Sequence, residues 1–185
     1  MVQVEITREM IERCYNFSAE IILGGNQYNR LPATVDVRIE RTFVGKLAEY
    51  VFLNYMRDRG INYDEGDMFE IFAGQQNVDG YDFETTNGST VDIKSASKPF
   101  HSRIMIPIDQ FENIPKDYYV GIKIHTELSQ DGLIRIDSIQ DATIYGYCEH
   151  TYLERFDTEN YGEGPCKAIK LNRLMNIERL VRMFK

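Results

Sequence analysis

Up to Gly60 the apolar residues recur at steps of three and four, and beyond it they fall mostly at steps of two. From Thr7 to about Leu23, Met10, Cys14, Phe17 and Ile21 share one stripe and Gly24-Gly25 follows, which predicts a first helix with a glycine stop. Residues 24–39 contain Gly, Asn and Pro without periodicity and read as a loop. A second helix is predicted from about Glu40 to Arg59, with Phe43, Leu47, Val51 and Tyr55 on its stripe and Gly60 closing it. Short β-like segments then follow at Met68–Phe72, Tyr81–Thr85, Thr90–Ser95, Ile104–Ile108, Tyr118–Thr126, Leu133–Ile139 and Thr143–Cys148. Asn87-Gly88 and Gln130-Asp131-Gly132 are hairpin signals between such runs. A short helix over Thr151–Phe156, a polar Gly-rich loop at 157–165 and a last helix over about Leu171–Phe184 complete the pattern. Neither internal repeats nor low-complexity tracts interrupt it. This order predicts one domain over residues 1–185, of α/β (α+β) class, with a central mixed sheet flanked by helices.

Composition narrows the picture. With 185 residues, 43% hydrophobic and 27% charged, the chain has the balance of one globular domain with a core. No apolar run approaches the ~20 residues that span a bilayer, and MVQVEITREM does not read as a signal peptide, so a cytoplasmic protein without membrane contact is expected. Cys14, Cys148 and Cys166 are odd in number and widely spaced, which suggests buried small hydrophobes rather than disulfides or a zinc site. The net charge of −8 argues against a generally basic nucleic-acid surface. The segment Lys167–Lys185 runs against that balance: Lys167, Lys170, Arg173, Arg179, Arg182 and Lys185 face Glu178 alone, giving +5 there and −13 elsewhere. It is the most evident phosphate-facing candidate, although a solvated face explains the charges as well.

The chemistry concentrates in Val78–Lys94. On the second strand, Val91 and Ile93 alternate with Asp92 and Lys94, so two aliphatics turn to the core while an acid and an amine share the other face. Which carboxylate of the first strand faces Asp92 depends on the turn. A two-residue turn at Asn87-Gly88 pairs residues whose numbers sum to 175 and sets Phe83 opposite Asp92. A three-residue loop of Thr86, Asn87 and Gly88, with glycine in the left-handed position of a bulge, makes the sum 174 and sets Asp82 opposite Asp92. Asp79 fits that face only with the shorter turn, and then lies roughly 13 Å along the ladder at ~3.3 Å per residue. Asp82 and the bulged turn are therefore the expectation. Two carboxylates across one strand pair repel unless a cation bridges them, and oxygen ligands in an open site suit Mg²⁺, with Mn²⁺ as a substitute. Lys94 can orient a water, assist its deprotonation or steady developing phosphorane charge. A plain surface ion pair is the competing reading.

The spacing Asp82…Asp92-Ile93-Lys94 on two strands joined by a turn resembles the PD-(D/E)xK nuclease superfamily. The helix segment Gly45-Lys46-Leu47-Ala48-Glu49 resembles that family's preceding helix, whose acid points at the metal while a glycine allows close approach. The resemblance covers about residues 40–126 and implies a restriction-endonuclease-like core. It also implies a Mg²⁺-dependent endodeoxyribonuclease of type II restriction-like kind, in which Asp82, Asp92, Glu49 and Lys94 form the catalytic set. The metal set is Asp82, Asp92, Glu49 and Ile93. Tyr81 stands in place of the name-giving proline, and Asp92 in place of the commoner glutamate. The implied partner is DNA, duplex rather than branched or single-stranded, and a homodimer is implied by enzymes that cut both strands. Alternatives are a structure-selective phage or repair nuclease, or a non-catalytic nucleic-acid-binding module that retains the fold.

Weaker candidates lie nearby. Lys98, His101 and Arg103 leave the active strand in a polar stretch and are candidates for DNA contact. His125 and His150 lack partners at ligand spacing and read as structural, Glu84 reads as a solvated strand residue, and the tyrosines of Tyr118-Tyr119 and Tyr145-Gly146-Tyr147 alternate as buried strands do.

Overall fold

A computed structural model describes residues 1–25, 33–66, 68–71 and 80–185. Thr7, two residues past a first strand, β1 (Val2–Glu5), caps the first helix, α1 (Arg8–Leu23), its hydroxyl accepting the Met10 N–H at 3.3 Å. The second helix, α2 (Val35–Arg57), begins at Val35 rather than at Glu40, because Thr34 caps it and Asp36 sits in its first turn. Its core-facing residues Phe43, Leu47, Val51 and Phe52 are fully buried.

The remaining elements are β2 (Phe83–Glu84), β3 (Thr90–Ala96), β4 (Arg103–Pro107), α3 (Ile108–Asn113), β5 (Tyr118–Ile124), β6 (Asp141–Glu149), α4 (His150–Leu153), β7 (Glu159–Asn160), β8 (Pro165–Lys170) and α5 (Ile177–Val181). A five-stranded sheet has the order β1-β6-β5-β3-β2, with β3 and β5 parallel and the other pairs antiparallel. A three-stranded sheet has the order β4-β8-β7. The protein is thus mixed α/β, with a mixed sheet flanked by helices.

Strand alternation divides the interior in two. Val91, Ile93, Val120 and Ile122 face α2 and α5 in the larger core. Tyr119 and Cys148 face Ile104, Phe111 and Leu171 in the smaller one, between the two sheets. Asp92 pairs with Tyr119 and Lys94 with Gly121, so both polar residues of β3 lie on the smaller core's side. Among the described residues, no helix is long and apolar enough to cross a membrane.

Several expected elements differ. Residues 68–71 form no strand, since Phe69 instead packs its ring on Phe17 and Tyr50 beneath the Arg13 guanidinium. Phe72, the end of that predicted strand, lies outside the described residues. Residues 133–139 make one bridge, Leu128↔Ile134, and then a 3₁₀ turn at Ile136–Ser138. There the Ser138 and Thr126 hydroxyls take up backbone groups that a ladder would have used. The predicted final helix is broken, because Met175 forms a two-way backbone bridge with Tyr147 that a helical residue could not make. Strands β1, β7 and β8 and helix α3 were not anticipated, β7 lying within the segment 157–165 expected to be a loop. The three cysteines are buried and free.

Candidate active site

The hairpin that carries the acids has the register of the three-residue loop. Phe83 pairs with Val91 and Glu84 with Thr90, and both sums are 174. The Gly88 N–H donates to the Thr85 carbonyl at 2.9 Å, the Thr85 N–H donates to the Ser89 carbonyl at 2.9 Å, and Gly88 has φ 83°, the left-handed conformation glycine adopts without cost. The pairing stops at Phe83 and Val91: the Asp82 N–H donates to the Val91 carbonyl, at 3.1 Å, so Asp82 sits at the edge of β3 beside Asp92 rather than on a paired rung. A side chain takes the next backbone group, as the Ile93 N–H donates to Asp82 Oδ2 at 2.6 Å. The carboxylate therefore ends the ladder and fixes its own position.

Lys94 reaches back along its face to Asp92, Nζ lying 2.5 Å from Oδ2, and donates to Gln110 Oε1 of α3 at 3.2 Å. From the opposite side α2 supplies Glu49, whose Oε2 pairs with Lys46 Nζ at 2.6 Å. Burial pushes the Asp82 carboxyl well above the ordinary carboxylate range, and the charges of Glu49 and then Asp92 push it further, against the Ile93 N–H and Lys94. Glu49, Asp82, Asp92 and Lys94 thus share one electrostatic neighbourhood. They do not share one coordination sphere: among the described residues, no three His, Cys, Asp or Glu side chains sit close enough to hold an ion together. Glu49 and Asp92 are each turned towards an ammonium. Asp79, the rival of Asp82, lies outside the described residues.

No known protein family, curated protein or solved structure matches the chain.

Ile93 has a hydrocarbon side chain packed in the larger core, so only its carbonyl could serve a metal. Alternate residues of a strand direct both backbone groups to the same neighbour. The Val91 carbonyl accepts from the Asp82 N–H at 3.1 Å, and the Ile93 carbonyl faces that same edge, beyond the last pair of β2. Gly45 does not play the expected part. A Cβ there would meet nothing within 4 Å, so close approach to the described residues does not require glycine. Gly45→Ala is accordingly expected to raise stability by about 0.5–1 kcal/mol, measured by urea denaturation, since glycine is a poor helix-interior residue.

Lys98, His101 and Arg103 form a second group around the turn after β3. Lys98 Nζ donates to the Gly132 carbonyl at 3.0 Å and lies 3.8 Å from Glu40, while the Arg103 guanidinium covers Tyr161 at 5.3 Å. Burial, with Lys98 and Lys123 nearby, lowers the His101 pKa. His150 stacks on Phe111 at 4.0 Å, and His125 meets the Thr143 hydroxyl at 2.8 Å. Burial raises the Cys14 thiol to about 12, so it stays protonated beside Glu49. Lys46, Gln110 and Lys116 were not anticipated at the site. Lys46 had a signal, its i,i+3 spacing to Glu49 on α2, whereas Gln110 and Lys116 arrive from segments whose placement depends on the tertiary fold.

Proposed function

We propose that this chain is a Mg²⁺-dependent endodeoxyribonuclease of PD-(D/E)xK, restriction-like type that hydrolyses phosphodiester bonds of duplex DNA. The observation that carries the reading is the hairpin's edge, where the Asp82 carboxylate takes the Ile93 N–H and lies within reach of the Asp92 charge, with Lys94 on the same face as Asp92. The donor set fits a hard divalent cation. It offers carboxylate oxygens and one edge carbonyl, and the carboxyl of Asp82 is held above its ordinary pKa first by burial and then by Glu49 and Asp92, whose repulsion a cation would relieve. Once Glu49 and Asp92 turn from Lys46 and Lys94, they would join Asp82 and the Ile93 carbonyl in holding Mg²⁺ or Mn²⁺, which would supply an acidified water as nucleophile and neutralise phosphate charge. Lys94, held by Gln110, would keep its ammonium at the reacting phosphate and stabilise the added negative charge. The exposed Lys170, Arg173, Arg179, Arg182 and Lys185 would give the acidic protein a local surface for DNA backbone.

The Lys46–Glu49 and Lys94–Asp92 pairs favour one second reading, a nucleic-acid-binding module without catalysis whose acids are neutralised internally. Cleavage of supercoiled plasmid separates the two. Wild type is expected to nick and linearise plasmid with Mg²⁺ or Mn²⁺ and not with EDTA. Lys94→Ala is expected to slow this by about 10²–10³, the usual effect of removing one preorganised charge donor. Binding without cutting on duplex, single-stranded and branched DNA would leave the second reading standing.

A further inference from the structure

A third ammonium enters the same neighbourhood. Lys116 precedes β5, and the next residue, Asp117, clamps this segment to the start of the strand that bears Asp92 and Lys94. Asp117 Oδ2 accepts from the Thr90 N–H at 2.7 Å and the Thr90 hydroxyl at 2.9 Å, and the Lys116 N–H donates to the Tyr119 hydroxyl at 3.3 Å. Lys46 and Lys94 are each committed to a carboxylate. Lys116 Nζ donates to the Ile114 carbonyl at 2.7 Å, and among the described residues it makes no ion pair. An ammonium has three donors, so capacity for an anion remains.

Its surroundings suit a phosphate. Asp92, Asp82 and Lys94 all act on the Lys116 charge, and burial is the largest influence on it. Part of its dehydration is therefore incurred on folding, which lowers what an incoming phosphate must strip away. Beside it opens a cavity of about 370 Å³ lined by Lys116, Asp117, Tyr118, Glu149, His150 and Thr151. That is near the lower end of ligand clefts, roughly 300–1,000 Å³, and is enough for the sugar-phosphate backbone of one nucleotide. Two carboxylates line it: Glu149 repels a phosphate from its own end, while Asp117, beside Lys116, has one oxygen engaged by the Thr90 N–H and hydroxyl, so the Lys116 ammonium is the cationic side chain of the lining that meets a phosphate.

We propose that Lys116 binds the phosphate adjoining the one that is cut, and that the cavity beside it receives the sugar-phosphate backbone between them, the bases staying in the duplex. This rests on the nuclease reading above. The competing role is structural, with Lys116 merely offsetting the acidic cluster.

Steady-state cleavage of a fluorescent duplex by wild type, Lys116→Ala and Lys116→Arg, at several salt concentrations, tests it. Lys116→Ala is expected to raise KM about tenfold while kcat falls less than about threefold, and to make the slope of log(kcat/KM) against log salt shallower by about 0.9, the value of one phosphate contact. Lys116→Arg should restore most of both, and Lys116→Gln replaces the alanine variant if melting shows the latter unfolded. Wild type that cuts, with KM and salt slope unchanged in the neutral variants, overturns the assignment. Wild type that cuts no DNA overturns the nuclease reading and this inference with it.

Discussion

Asp82→Asn is expected to abolish metal-dependent cleavage while making the metal-free protein more stable at neutral and alkaline pH. The second effect follows from the carboxyl's raised pKa in the folded state. Below its unfolded value, about pH 4, both states hold the proton and the group costs nothing. As the pH rises, the unfolded chain ionises first and the folded chain later, so stability is lost progressively until the pH passes the folded pKa. Asparagine keeps the shape and an oxygen that can accept the Ile93 N–H, but carries no charge, so the variant escapes this loss. Thermal denaturation in EDTA should show the two proteins converging near pH 4 and separating as pH rises, with the variant the more stable. Adding Mg²⁺ should then reverse the order, since an ion at a hundred times its Kd stabilises the wild type by about 2.7 kcal/mol. A cleavage loss of about a thousandfold or more, ~4 kcal/mol, is expected from the same change. A variant no more stable than wild type in EDTA at pH 8 would remove the argument that burial and the charges of Glu49 and Asp92 raise this carboxyl's pKa. A Mg²⁺ shift equal in both proteins would remove Asp82 from the ligand set.

Asp82 also shows why the hairpin was legible in the sequence. The register that brings it to β3 follows from the parity of a strand and the length of one turn, both local properties, and Gly88 at φ 83° is the residue that the bulged loop required. Helix α1 and the strands β3, β5 and β6 were legible for the same reason, each having one buried face with its own period. What the sequence hid is set by distant parts of the chain. Val2 and Val4 alternate, yet so short a run signals a strand only once β6 is there to pair with it. Met175 lies within a helix-like pattern, and only its docking on Tyr147 breaks the helix. The site divides likewise: Asp82, Asp92 and Lys94 came from spacing, while Gln110 and Lys116 reach it by way of α3 and the segment after it, which no period of β3 could foretell.

Gly146→Ala is expected to be the most damaging single methyl in the protein. The segment Leu171–Met175 crosses the face of the five-stranded sheet where Gly121 of β5 pairs with Gly146 of β6. A Cβ at Gly146 would lie 2.0 Å from the Met175 carbonyl oxygen, at φ 147°, a conformation that residues with side chains rarely adopt. The obstacle is backbone and cannot rotate aside. Met175 is tied on both sides, its carbonyl accepting from the Tyr147 N–H at 3.0 Å and its N–H donating to the Tyr147 carbonyl at 2.8 Å. Relief would break that bridge and lift Leu174 from the smaller core, so a loss of about 4 kcal/mol or more is expected by urea denaturation. Gly121 offers a control of the same kind in the same place. There the nearest atoms are side-chain methyls, Leu174 Cδ1 at 2.4 Å and Leu171 Cδ2 at 3.1 Å, which can turn away, so Gly121→Ala should cost about 1–3 kcal/mol. Equal losses at the two positions would show that the Tyr147–Met175 bridge yields as readily as a leucine rotamer, and that the crossing segment is not what makes Gly146 indispensable.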